Sequence, residues 1–192
     1  MRVRNEDGAG DELSFDVYRR LLKDRVVVLG SPIDDAVANL VTAQLLHLES
    51  DDPEADISLH INSPGGATTP LLAIHDTMQQ IRPDISTICV GQAASAAAVV
   101  LAGGAQGKRF ALPHARILLH QPKEELGGQP ADIAIHAQEV ARQRQLVEEI
   151  LARHTGQPLE KISTDTNREL FLTAVEAMEY GIVDEVITDR AS

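Results

Sequence analysis

Aromatic side chains make up only 3% of the 192 residues, and cations are few: 17 Lys and Arg stand against 29 Asp and Glu, for a net charge of −12. A nucleic-acid groove needs a basic stripe for phosphates and aromatic faces for stacking bases. The sequence supplies neither, so no nucleic-acid partner is expected. No apolar run approaches the length of a membrane-spanning helix, and no membrane is expected either. Cysteine occurs once, as Cys89 between Ile88 and Val90. One thiol makes no intrachain disulfide, which suits a reducing compartment, and its apolar neighbours give it a buried place. The opening residues, Met1 to Gly8, lack the apolar stretch of a secretory signal. The expected location is the cytoplasm.

What is present reads as a globular chain. Hydrophobic residues make up 43%, enough for one domain with a substantial core. The densest acidic cluster is Glu49, Asp51, Asp52, Glu54 and Asp56. It lacks the EF-hand spacing with its central glycine, so it reads as a solvated loop and no metal is expected. Residues 1–14 are polar and glycine-bearing and read as a mobile arm; 15–192 read as the single domain.

Periodicity orders the rest. A short helix is expected through Phe15, Tyr18, Leu21 and Leu22, then a strand from Arg25 to Leu29. Helical spacing of Val37, Leu40, Val41, Leu45 and Leu48 predicts a helix from Asp35 to Leu48. Ile57 to Ile61 alternates as a strand, Thr68 to Ile81 reads as a helix, and Ile85 to Val90 as a strand. Phe110 to Leu112 and Arg116 to His120 are further strands. The longest helical signal, Asp132 to Arg153, ends at Thr155-Gly156 and is apolar around much of its circumference, so it needs a partner surface. A helix from Ala174 to Tyr180 and a strand from Ile182 to Ile187 close the chain. Alternating strands and helices predict an α/β domain with parallel pairing and helices over the sheet.

Chemistry concentrates at Ser95, an isolated hydroxyl in the wall of small residues from Val90 to Val100. It falls at the start of a helix, where unpaired N–H groups favour developing negative charge. Asn62-Ser63-Pro64-Gly65-Gly66 is a second anion-friendly element, and His120 ends a strand at Leu119-His120-Gln121-Pro122. Nucleophile, base and glycine-rich donors are the parts acyl transfer needs. Each also has an ordinary reading, as packing serine, turn and strand-end histidine, and the Gly-x-Ser-x-Gly elbow is absent because Ala94 and Ala96 flank Ser95. Spacing alone suggests a serine hydrolase without proving one. His136, within the long helix, reads as a packing or surface residue rather than a ligand.

Taken together, several stretches resemble the ClpP family, the proteolytic subunits of the ATP-dependent caseinolytic (Clp) protease. They include Leu21-Leu22-Lys23-Asp24-Arg25, Gly30-Ser31-Pro32-Ile33-Asp34-Asp35, Ile61-Asn62-Ser63-Pro64-Gly65-Gly66 and Gly91-Gln92-Ala93-Ala94-Ser95. Gly107-Lys108-Arg109, Leu112-Pro113-His114-Ala115-Arg116, His120-Gln121-Pro122, His154-Thr155-Gly156-Gln157-Pro158 and Glu179-Tyr180-Gly181-Ile182-Val183-Asp184 continue the series to about Ile187. The resemblance implies a crotonase-like fold of repeated ββα units with a protruding handle, 121–154. It implies Ser95 as nucleophile, His120 as general base, and the N–H groups of Gly66 and Ala96 as oxyanion hole. It also implies two stacked heptameric rings of this or paralogous subunits, and unfolded protein substrates delivered by a Clp AAA+ ATPase. No cofactor is implied for this chain, since ATP is used by the partner.

Three stretches depart from the family pattern. The triad aspartate lies in Asp-Thr-x-Arg-Asp-x-Phe, but here Asp165-Thr166-Asn167-Arg168-Glu169-Leu170-Phe171 puts Glu169 at the acid position. A Ser95-His120-Glu169 triad is the expectation, with Asp165 as the substitute acid. The substrate-pairing strand edge, usually Leu-Gly-Gly, reads Lys123-Glu124-Glu125, which adds bulk and charge and disfavours acidic substrates. Ser58 and His60 stand where tyrosines line the family's ATPase-docking pockets, while Ile88, Phe110 and Leu112 stay apolar. The arm also lacks the apolar residues of the axial gate. These changes favour a mixed assembly in which a paralogue recruits the motor. The alternatives are a weakly active structural ring subunit and, ranked lower, a crotonase-type acyl-CoA enzyme.

Overall fold

In a computed structural model, residues 9–121 and 129–188 are described. The chain runs α1 (Ala9–Lys23), β1 (Val26–Leu29), α2 (Asp35–Asp51), β2 (Ile57–Ser63), α3 (Thr68–Gln80), β3 (Ile85–Ala94) and α4 (Ala96–Ala102). It continues through β4 (Arg109–Ala111), β5 (Arg116–Leu119), α5 (Pro130–Thr155), α6 (Leu159–Thr166), β6 (Leu170–Thr173), α7 (Ala174–Tyr180) and β7 (Glu185–Val186). Helix α1 begins inside the stretch expected as arm. Residues 1–8 of that arm, and Lys123, Glu124 and Glu125, lie outside the described residues.

The α/β fold follows the alternation in the sequence. Strands β1-β2-β3-β4-β7 pair in parallel in that order. Ile57, Leu59 and Ile61 alternate with half-buried Ser58 and His60, so one face of β2 is core and the other partly open. Burial of each such aliphatic side chain contributes about 1.5–3 kcal/mol. The parallel expectation needs one correction: β5 and β6 are antiparallel, Arg116 facing Thr173 and Leu119 facing Leu170.

Local chemistry sets the ends of the helices. Asp34 caps α2 by accepting from the Val37 N–H at 2.8 Å. A Thr173–Glu176 capping box opens α7. Gly156, at φ 72°, closes α5 in the left-handed region that a side chain disfavours. The acidic loop after α2 stays exposed but its backbone is tied down by Arg25, whose guanidinium donates to the carbonyls of Leu48, Asp52, Ala55 and Asp56.

What positions the site is a change of partner along β3. Its first half lies between β2 and β4, while Gln92, Ala93 and Ala94 pair with Arg116, Ile117 and Leu118 of β5. The ends of β3 and β5 therefore emerge side by side, one leading into Ser95 and the other into His120.

Candidate active site

Ser95 sits at φ 54° and ψ −120°, one of only two non-glycine residues with positive φ among those described. Such a conformation is costly for an L residue and persists only where its surroundings fix it. Here the Ser95 N–H donates to the Leu118 carbonyl at 2.8 Å, and its carbonyl accepts from Ala98 at 3.0 Å as α4 begins. The sharp turn from strand to helix lifts the side chain clear of the Ala wall without glycine on either side.

The Pro64-Gly65-Gly66 loop packs directly on this turn. A Cβ on Gly65 would lie 2.3 Å from the Ala94 carbonyl and 2.9 Å from the Ser95 Cβ; one on Gly66 would lie 2.0 Å from the Ile33 carbonyl. Both positions demand glycine for this close approach, and Gly65 also has φ +88°. Ile33 donates to Gly65 and accepts from Ala67, pinning the loop from both sides of Gly66. Gly66 N–H itself donates to no other backbone carbonyl among the described residues, and Ala96 N–H, at the first helical position, has no intrahelical partner.

A cavity of about 430 Å³ brings these groups together: Gly66, Ser95, Ala96 and His120 all line it. The His120 Nδ1 lies 2.6 Å from the Gln121 carbonyl oxygen. A carbonyl only accepts, so Nδ1 carries the proton and Nε2 presents its lone pair. Gln121 is itself held: its N–H donates to the Thr166 carbonyl at 2.8 Å, and Arg144 donates to its Oε1 at 2.6 Å.

Glu169 is exposed, directly before β6, and does not line the cavity. The antiparallel register ends with Leu119 facing Leu170, the residues directly before His120 and directly after Glu169. Asp165 is engaged elsewhere, with Lys161 and the Tyr180 hydroxyl, and is held below the usual carboxylate range by those two bonds despite the opposing effect of burial.

The sequence did not reveal the part of the cavity lining that the helices supply: Arg144, Val147, Glu148 and Leu151 from α5 and Thr166 from the end of α6. The signal available was the i,i+4 spacing of Arg144 and Glu148 on the long helix, a common pattern that does not say which face it lies on. In the sheet, His60 lies in register between Val28 and Ile88, and Ile88 next to Phe110, as one row. Burial lowers the His60 pKa.

The thiol of Cys89 is fully buried, which pushes its pKa up to about 11 against a lesser opposing bond from Gly91, so it is a packing group. Among the described residues, no group of three or more His, Cys, Asp or Glu is placed to hold a metal, and no helix is long and apolar enough to cross a membrane. A family model described as Clp protease matches residues 9–190.

Proposed function

This chain belongs to the Clp protease family and is a ClpP-type peptidase by that membership, and from that premise we propose that it is a serine endopeptidase cleaving unfolded proteins, with Ser95 as its nucleophile. The observation that carries the reading is the common cavity of Ser95, His120, Gly66 and Ala96. Ser95 Oγ attacks the scissile carbonyl carbon as His120 Nε2 takes its proton. The oxyanion forms against the Gly66 and Ala96 N–H groups. The imidazolium then gives its proton to the departing amine, and water, deprotonated by the same nitrogen, hydrolyses the acyl-enzyme. Proton retention at Nδ1 is the task of the Gln121 carbonyl, and Glu169 is proposed to stabilise the imidazolium.

Family membership implies oligomeric assembly and work with an ATPase in general. The finer proposal is two stacked heptameric rings, cytoplasmic, in which α5 is the handle. Exposed Ile133, Ile135 and Leu146 on that helix, unburied within the chain, support it. Unfolded chains are fed by a Clp AAA+ ATPase that consumes the ATP, docked on this chain or on a paralogous subunit, and no cofactor acts at Ser95. Lys123, Glu124 and Glu125, three to five residues past His120, are proposed to flank the extended substrate and to disfavour acidic chains.

A second reading, a structural ring subunit of low activity, is favoured by Glu169, which replaces aspartate and does not line the cavity. Hydrolysis of short fluorogenic peptides by the full chain separates the two. The endopeptidase reading predicts turnover that Ser95→Ala abolishes while particle size is unchanged. Turnover equal in both proteins contradicts the nucleophile assignment, and no turnover in either supports the structural reading.

A further inference from the structure

The cavity at Ser95 has apolar walls and a polar end. Leu71, Val99, Leu119, Val147 and Leu151 form the walls. At the end, buried Glu148 accepts from Arg144 Nε at 2.7 Å and from the Thr166 hydroxyl at 3.4 Å. Both bonds end on Oε1. Thr166 has one hydroxyl proton, and its shorter bond, 2.8 Å, goes to the Ile162 carbonyl, so Glu148 depends chiefly on Arg144. The remaining Arg144 bonds go to Gln121 Oε1 at 2.6 Å and to the Ser163 carbonyl at 3.5 Å. An aliphatic channel that ends on a neutral ion pair is selective about what enters it. An aliphatic side chain reaching the end would strip water from the pair and offer no bond in return, which costs about 1–3 kcal/mol per unsatisfied group.

Charged tips fare no better. A second cation would compete with Arg144 for one carboxylate, and an anion would meet Glu148 at close range in a site that screens little. A carboxamide matches both members: its NH₂ donates to Glu148 Oε2 and its carbonyl accepts from the Arg144 guanidinium. We infer that Glu148 and Arg144 are specificity-determining residues that select glutamine, an apolar stem with an amide tip, on the N-terminal side of the bond cut at Ser95. The inference rests on the peptidase reading only for the statement of which bond is cut; the pocket's preference among side chains does not need the serine hydroxyl.

The test therefore uses binding to the full-length Ser95→Ala protein. Fluorescein-labelled hexapeptides identical except for a C-terminal Gln, Leu, Glu or Lys are titrated by fluorescence anisotropy. Gln is expected to bind about tenfold tighter than the others, the worth of one satisfied buried bond. Adding Glu148→Leu and Arg144→Met together makes the end apolar and moves first place to Leu. Glu148→Gln, nearly isosteric and with the Arg144 bond retained, removes the anionic repulsion and brings the Glu peptide to within about threefold of Gln; this variant decides the matter if the double variant does not fold. An unchanged ranking in the variants, or no binding of any peptide, overturns the inference. Wild-type protein that turns over no peptide while the ranking follows these expectations overturns the peptidase reading instead.

Discussion

At the scale of single residues, the account turns on how an ordinary serine comes to face an ordinary histidine. The positive φ of Ser95 and the glycine at 65 are two halves of one arrangement, because the loop reaches Ala96 only where no Cβ intervenes. Gly65→Ala meets the Ala94 carbonyl at 2.3 Å in a backbone region hostile to side chains. It should lower stability by about 1–3 kcal/mol, seen as a reduced Tm, and abolish peptide turnover. The Gln121 carbonyl makes a distinct prediction for Glu169. Loss of a triad acid that alone fixes the tautomer costs about 10⁴ in rate. With Nδ1 already held, Glu169→Ala should lower kcat/KM by only about 10–100-fold, and Glu169→Asp should retain or raise it; steady-state kinetics on one peptide checks both. Ser95 and His120 drew attention in the sequence by residue type, and Gly66 and Ala96 only through the family resemblance; the structure puts all four around one cavity. The Gln121 carbonyl was not legible there, since any residue carries one and only the chain's path past β5 aims it at the ring.

At the scale of elements, α3 and the last turn of α5 meet through a pair of imidazoles. His75, almost fully buried, has Nδ1 3.0 Å from the Asp76 carboxylate and Nε2 2.9 Å from His154 Nε2. The two facing Nε2 atoms share one hydrogen bond, so one ring donates and the other accepts. Burial, then the nearby His75, Arg109 and Arg153, push the His154 pKa down to about 4 from 6.5. A histidine lowered in this way favours folding above its unfolded value. Its contribution is lost as pH falls from about 6.5 to about 4, where the unfolded chain binds the extra proton. Asp184, beside Arg109, is lowered too, and its contribution goes at still lower pH. Tm should therefore fall between pH 7 and 4.5, and His154→Asn should flatten that slope. Arg109 ties the same region together, pairing with Asp184 and donating to the His154 carbonyl at 2.8 Å. Arg109→Met should cost about 3–5 kcal/mol in urea unfolding, since it strands a partly buried carboxylate. Helices α2, α3 and α7 were legible from spacing and caps. Helix α6 and strand β6 were not: the first buries only Ile162 and Thr166 and the second only Leu172, too few positions to show a period.

At the scale of the whole molecule, the long helix was legible as a surface in want of a partner. Its C-terminal half is anchored by Val147, Ile150 and Leu151, while Ile133 and Ile135 near its start are exposed. Ile135→Glu should leave the subunit folded by circular dichroism, shift the sedimentation profile to smaller species and reduce peptide turnover in step, because the proposed chamber closes only between rings. On the sheet's half-open face, polar His60 stands in the row from Val28 to Phe110. All of this stands behind one chemical event at Ser95. The most direct test is to treat the assembled full-length protein with a fluorophosphonate and map the adduct by peptide mass spectrometry. The account predicts stoichiometric modification confined to Ser95 and lost in His120→Ala; an intact assembly that stays unmodified, or one modified at another residue, contradicts it.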